Sequence, residues 1–163
     1  FRLTKNKKLI EGVFGGETLN TPSMLCVEDY IDALEWVKSI GGYQGTIKRA
    51  DHNFSIIKKW VDQSNWVDFL CESEENLSNT SVCLKFSNNL SELNEVDQRA
   101  FAKAIGKLLN DEKVAYDIVN HRSAPPGLRI WAGATVESDD IAKLLPWLDW
   151  AFNKINKSGA ENA

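Results

Sequence analysis

The sequence predicts an α+β fold, a small and largely antiparallel sheet covered by helices. Four stretches carry apolar residues at helical spacing and four shorter ones alternate like strands, in the order ααββαββα. Two of the strand-like runs, 66–71 and 80–86, are joined by the polar loop Glu72 to Asn79 and pair most simply as antiparallel neighbours. At 163 residues and 43% apolar, the chain is one domain with room for a core, and six Trp with seven Phe argue against disorder.

Residues 1–19 read as irregular, because Gly12, Gly15 and Gly16 interrupt any period, with short extended pieces at Leu9-Ile10 and Val13-Phe14. Thr21 is placed to cap a helix whose first residue is Pro22 and whose apolar positions are Leu25, Val27, Ile31, Leu34 and Val37. Gly41-Gly42 ends it. Helix N-termini carry free N–H groups and so suit phosphate, although an ordinary cap shares that property. A second helix is predicted from about 44 to 63, with the stripe Ile47, Ala50, Phe54, Ile57 and Val61. In the strand 80–86, Val82, Leu84 and Phe86 share one face. Asn94 caps a third helix with Asp97 at its third position, and its stripe is Phe101, Ile105, Leu108 and Leu109. Ala115–Val119 is predicted as a strand, as is Leu128–Trp131. Ser138-Asp139-Asp140 starts a last helix that Pro146 interrupts, and residues 157–163 read as frayed.

Net charge is −4, and no basic run exceeds Lys7-Lys8 or Lys58-Lys59, which argues against a nucleic-acid partner. No apolar run reaches membrane-spanning length and no signal peptide is evident, so a membrane is not expected either. Cys26, Cys71 and Cys83 are odd in number, lack metal-ligand spacing and stand among apolar residues. They predict buried free thiols in a reducing, cytoplasmic compartment. The chain begins at Phe1 rather than Met, which suggests that the native polypeptide extends upstream.

The densest chemistry lies at 120–133. Pro125-Pro126-Gly127 predicts a rigid turn, since each proline restricts φ and glycine accepts a positive φ. His121 and Arg122 precede the turn and Arg129 follows it, with Leu128 and Ile130 on the opposite face of the strand from Arg129 and Trp131. An arginine fork pairs two-pronged with carboxylate or phosphate, so these groups suit a small molecule with two anionic ends. Structural ion pairs with some of the 23 acidic residues are the competing reading. There is no Gly-rich phosphate loop, paired-His metal site or nucleophile elbow. The pattern is that of half an active site, which holds substrate while another part does the chemistry.

The run Gly16-Glu17-Thr18-Leu19-Asn20-Thr21-Pro22-Ser23 ahead of a long helix resembles the Asn-Thr-Pro segment of phosphoserine aminotransferases, a family of fold-type I, class V pyridoxal-phosphate enzymes. His121-Arg122 with Arg129 resembles that family's His-Arg…Arg substrate constellation. The stretch Ala124-Pro125-Pro126-Gly127-Leu128-Arg129-Ile130-Trp131-Ala132-Gly133-Ala134-Thr135 is similar to a bacterial branch, as is Leu145-Pro146-Trp147-Leu148-Asp149-Trp150-Ala151-Phe152. The better-known branch has Gly-Gly and one residue fewer between the arginines.

The resemblance implies that 1–163 is the C-terminal small domain of such an enzyme, with 1–42 connecting to a large cofactor domain. It implies that the cofactor lysine lies upstream, since no lysine here stands in the family's Gln-Lys-Val-Leu-Gly context. No residue of this chain is then catalytic. It further implies reversible amino transfer between phosphoserine and 2-oxoglutarate, giving phosphohydroxypyruvate and glutamate, in serine biosynthesis. Some bacterial members also act on a phosphorylated hydroxythreonine. Arg129 would clamp the α-carboxylate, His121 and Arg122 would meet the distal phosphate or γ-carboxylate, and Asn20 and Thr21 would reach the pyridoxal 5'-phosphate of the neighbouring subunit in a homodimer. Two alternatives remain beside it. One is another class V aminotransferase, and the other is a stand-alone anion-binding regulatory module.

Overall fold

The computed structural model describes residues 3–18 and 20–160. The chain forms two compact units, Phe1–Tyr43 and Gln44–Ala163. In the first, strands β1 (Thr4–Lys5) and β2 (Lys8–Leu9) make an antiparallel hairpin. Asn6 and Lys7 form its two-residue turn at φ 52° and 62°, the left-handed pair that matches the twist of the flanking strands. A single 3₁₀ turn follows at Glu11–Val13, so this segment is more regular than its glycines predict.

Helix α1 (Met24–Ser39) completes the first unit. Its cap is Ser23, whose hydroxyl accepts from the Cys26 amide at 3.5 Å, and not Thr21 as the sequence suggests. The serine stands three residues ahead of an unpaired helix N–H, which is the reach a cap requires. Ile40 and Gly41 close the helix by donating to Trp36 and Lys38, with Gly41 at φ 99°. No residue of α1 is buried: Leu25 is 71% exposed, Ile31 43% and Leu34 48%. Its apolar stripe exists but lacks cover among the described residues.

The second unit holds most of α2 (Gly42–Gln63), then β3 (Val67–Phe69), β4 (Ser81–Phe86), α3 (Glu95–Asp111), β5 (Leu128–Trp131) and α4 (Ser138–Ala160). The sheet order is β3-β4-β5, antiparallel throughout, with Phe69 and Leu128 flanking Leu84 and Ile130 opposite Val82. Only one face is buried. Val67, Phe69, Val82, Leu84, Phe86, Leu128 and Ile130 enter one core with Ile57 and Val61 of α2, Ile105 and Leu109 of α3, and Ile141 and Leu148 of α4. The other face carries Asp68, Ser81, Cys83, Lys85, Arg129 and Trp131, as period-2 alternation requires.

Three further expectations need correction. Residues 115–119 are not a strand, because Asp117 takes φ 53° and breaks the extension. What survives is one bridge from Val119 to Leu128 and a bond from the Arg129 amide to the Ile118 carbonyl at 2.7 Å. The cysteines are not buried: Cys26 lies on the uncovered α1, Cys83 falls on the outer sheet face, and Cys71 follows β3 into a loop. Helix α4 runs to Ala160 rather than fraying at 157, while 161–163 lie outside the described residues. Asn94 does cap α3, accepting from the Asp97 amide at 3.0 Å.

Two polar residues tie the layers. The Asn53 amide, 1% exposed, donates to the carbonyls of Ala132, Gly133 and Val136, so α2 grips the chain leaving β5. Asp149 of α4 accepts from two indoles, Trp66 at 2.8 Å and Trp60 at 3.0 Å. The Trp66 ring stacks on Phe152 at 4.7 Å between centroids. At the surface, a hydrogen bond from Lys58 holds the Glu74 carboxyl below the ordinary range and raises the ammonium. The lowered carboxyl makes the pair's small contribution present above the ordinary glutamate pKa and lost as pH falls through the folded value.

Replacing Asp149 by Leu leaves two indole N–H groups without their acceptor. We expect a loss of about 2–6 kcal/mol in denaturant unfolding, from roughly 1–3 kcal/mol for each orphaned donor. Asp149→Asn keeps one carbonyl acceptor and should lose about half as much.

Candidate anion-binding site

The turn before β5 is held by a buried amide and a glycine. Asn120 is 8% exposed, and its Nδ2 donates to the Pro125 carbonyl at 3.1 Å and to the Leu84 carbonyl of β4 at 3.4 Å. Its own amide donates to the Gly127 carbonyl at 3.1 Å. Gly127 sits at φ 150°, and a Cβ there would lie 1.9 Å from the Leu84 oxygen. The turn can therefore lie on the β4 backbone only with glycine at this place. Nothing in the spacing of Asn120 along the sequence signals its burial.

From this frame the three predicted substrate residues go separate ways. Arg129 lies on β5 between two core anchors, Leu128 and Ile130, and leaves the outer face of the sheet opposite Cys83. Its Nη2 donates to Asp117 Oδ2 at 2.8 Å, and the two side chains are 34% and 85% exposed. The ion-pair reading of Arg129 is thus observed, but through one prong. No other acceptor holds the fork among the described residues.

His121 is exposed, and its Nδ1 lies 2.7 Å from Ser123 Oγ and 3.3 Å from the Ser123 amide. Nδ1 is thus engaged by Ser123, and Nε2 is the ring nitrogen left for a further partner. Arg122 is exposed and has no ion pair among the described residues. It borders a pocket of about 200 Å³ together with Arg99, Lys103, Asn120 and Gly127. Neither His121 nor Arg129 lines that pocket. No contact joins Arg122 to Arg129 among the described residues. The first borders a cavity that α3 also lines, and the second leaves the outer face of the sheet.

Arg99 went unnoticed in the sequence because it reads as half of an ordinary helix pair. Its Nε and Nη2 hold Glu95, and Nη2 also donates to the Ala124 carbonyl at 2.8 Å, which ties α3 to the turn. Asn20 and Thr21 are exposed ahead of α1. Their amide and hydroxyl are donors of the kind a phosphate accepts from, so the residues fit the cofactor role that the resemblance implies. Among the described residues no group of three or more His, Cys, Asp or Glu is placed to hold a metal ion. Nor is any helix there long and apolar enough to cross a membrane.

The fold defines an α+β domain that exposes Arg122 and Arg129 at the turn before β5. The particular likeness is to phosphoserine aminotransferase. The chain is 43% identical over 155 residues to that enzyme from Methanosarcina mazei and 44% identical to that from Methanosarcina barkeri. Each alignment spans 95% of this chain and 40% of the relative. No protein-family model matches.

A solved phosphoserine aminotransferase from Bacillus circulans subsp. alkalophilus superposes with a TM-score of 0.71 at 19% identity, over 87% of this chain and 36% of that one. A second, from a study of radiation damage to the Schiff base in phosphoserine aminotransferase, gives 0.72 at 16% identity, over 93% and 40%. These structures establish the shared α+β fold, while the curated relatives bear out the resemblance along the sequence.

The contact between Gly127 and Leu84 sets a stability test. Gly127→Ala should cost about 1–3 kcal/mol in unfolding free energy of the full-length protein, because its Cβ meets a backbone carbonyl that cannot rotate away. A variant as stable as the parent would show that the turn does not rest on β4.

Proposed function

We propose that this chain is the C-terminal domain of a phosphoserine aminotransferase, with 1–42 as the segment that connects it to the large cofactor domain. The division of the chain after Tyr43 and the uncovered apolar stripe of α1 support that placement. The reaction is reversible amino transfer between phosphoserine and 2-oxoglutarate, a cytoplasmic step of serine biosynthesis. The observation that carries this reading is Arg129, a half-exposed guanidinium on a core-anchored strand with one prong engaged.

Pyridoxal 5'-phosphate, when bound in the whole enzyme, acts as the electron sink for breaking the bond at the amino acid's α-carbon. This domain orients the substrate. Arg129 holds the α-carboxylate that every amino-acid substrate carries, and its backbone anchorage makes the fork pre-organised. Arg122 meets the distal anion, and His121 donates to it from Nε2. Asn20 and Thr21 donate to the cofactor phosphate. Arg122 borders a cavity that Arg129 does not line, so the two clamps on one small substrate come from two copies of the chain in a homodimer.

A donor amino acid with one charge needs one clamp, so the presence of His121 and Arg122 in addition to Arg129 disfavours another class V aminotransferase. The similarity over 95% of the chain disfavours a stand-alone module.

In the full-length enzyme, Arg129→Leu should lower kcat/KM for phosphoserine and glutamate alike, by about 30- to several-thousand-fold for a desolvated charged pair. Arg129→Lys should recover it only in part, since the fork geometry is gone. Arg122→Ala should harm phosphoserine more than alanine, which has no distal anion. Equal losses for phosphoserine, glutamate and alanine in Arg122→Ala would assign Arg122 a structural role instead.

A further inference from the structure

Two arginines of the domain are held the way structural arginines are. Arg49 donates from Nε to the Ala134 carbonyl at 2.7 Å and from Nη2 to Glu137 at 2.6 Å. Arg99 donates from Nε and Nη2 to Glu95, and from Nη2 to the Ala124 carbonyl. Each fork has two nitrogens engaged and one backbone acceptor. Arg129 differs. Its partner among the described residues is Asp117 alone, met by Nη2 at 2.8 Å.

The backbone, not packing, brings Asp117 there. The Arg129 amide donates to the Ile118 carbonyl and Val119 bridges Leu128, so residues 118–119 lie along the start of β5. Directly before them Asp117 takes φ 53°, which most residues with a Cβ avoid and aspartate tolerates better than most. The carboxylate that this bend delivers is 85% exposed, against 34% for the arginine side chain. It has no other hydrogen-bond partner among the described residues. An exposed pair of this kind is weak, and a carboxylate already in water leaves its partner at little cost.

Nη2 is also the prong that any incoming carboxylate needs. A guanidinium takes a carboxylate two-pronged either side-on, through Nε and Nη2, or end-on, through Nη1 and Nη2. While Asp117 holds Nη2, a second carboxylate at the fork meets a like charge beside it. We infer that Asp117 is an internal competitor for Arg129, which occupies the fork in the empty site and is displaced by the α-carboxylate of the substrate. The inference rests on the α-carboxylate role of Arg129 proposed above. Asp117 then sets substrate affinity, weakening every amino-acid substrate by the same factor.

The test uses the full-length enzyme with Asp117→Asn, Asp117→Gly, Arg129→Leu and the double variant Asp117→Asn/Arg129→Leu. It measures kcat and KM for phosphoserine, glutamate and alanine. Asparagine and glycine both accept the positive φ, so the bend survives. Each Asp117 variant should raise kcat/KM about two- to fivefold through a lower KM, the range that an exposed ion pair spans. The factor should be the same for all three substrates, and Asp117→Asn should add nothing in the Arg129→Leu background. A fall in kcat/KM would show that Asp117 orients the fork, and no change would show a surface contact without a role; either overturns the inference. A gain confined to phosphoserine or glutamate, or one that persists without Arg129, overturns it as well. If Arg129→Leu leaves all three substrates near the parent values, the α-carboxylate reading fails and the inference fails with it. If Arg129→Leu cripples them while the Asp117 variants match the parent, the inference alone fails.

Discussion

The close approach of Gly127 to the Leu84 carbonyl is the constraint on which the candidate anion-binding turn depends. A side chain at 127 would occupy the space of a backbone oxygen in the central strand of the sheet. With glycine there, the Asn120 amide reaches both that carbonyl and the Pro125 carbonyl. The two prolines stiffen the crest, and Arg99 holds it from α3 through the Ala124 carbonyl. The candidate side chains of the turn are hung on this frame. His121, Arg122 and Arg129 are exposed or half-exposed, whereas the groups that place them are backbone, amide and core.

The sheet explains why the arginines differ. Leu128 and Ile130 are fully packed against α2, α3 and α4, so Arg129 is carried on a strand that cannot shift without opening the core. Arg122 has no such anchorage and lies in a loop beside a small cavity. The one-sided burial of the sheet has the same consequence: the helices fill one face, and the opposite face displays Arg129, Cys83, Lys85 and Trp131.

Much of this was readable in the residues. The four helices, the antiparallel pairing of 67–69 with 81–86, the Asn94 cap and the inward set Val82, Leu84 and Phe86 follow from periodicity and capping alone. The resemblance to phosphoserine aminotransferase was carried by contiguous motifs, and it holds over 95% of the chain. The cap of α1 was misplaced by two residues because Thr21 and Ser23 both offer a hydroxyl ahead of the same helix.

Local chemistry determines elements, faces and turns, so the α+β class, the stiff turn and the outward aim of Arg129 belong to the sequence by itself. Long-range contacts decided the remainder. Asp117 breaks a strand-like run and meets Arg129 twelve residues on, Asn53 is buried because three carbonyls from 132–136 converge on it, and Asn120 is buried because β4 passes beneath it. Arg99 and Lys103 join Arg122 around one cavity although nearly twenty residues or more separate them along the chain. A polar residue's burial and partners depend on which distant backbone arrives beside it, and no periodicity in a single sequence encodes that arrival.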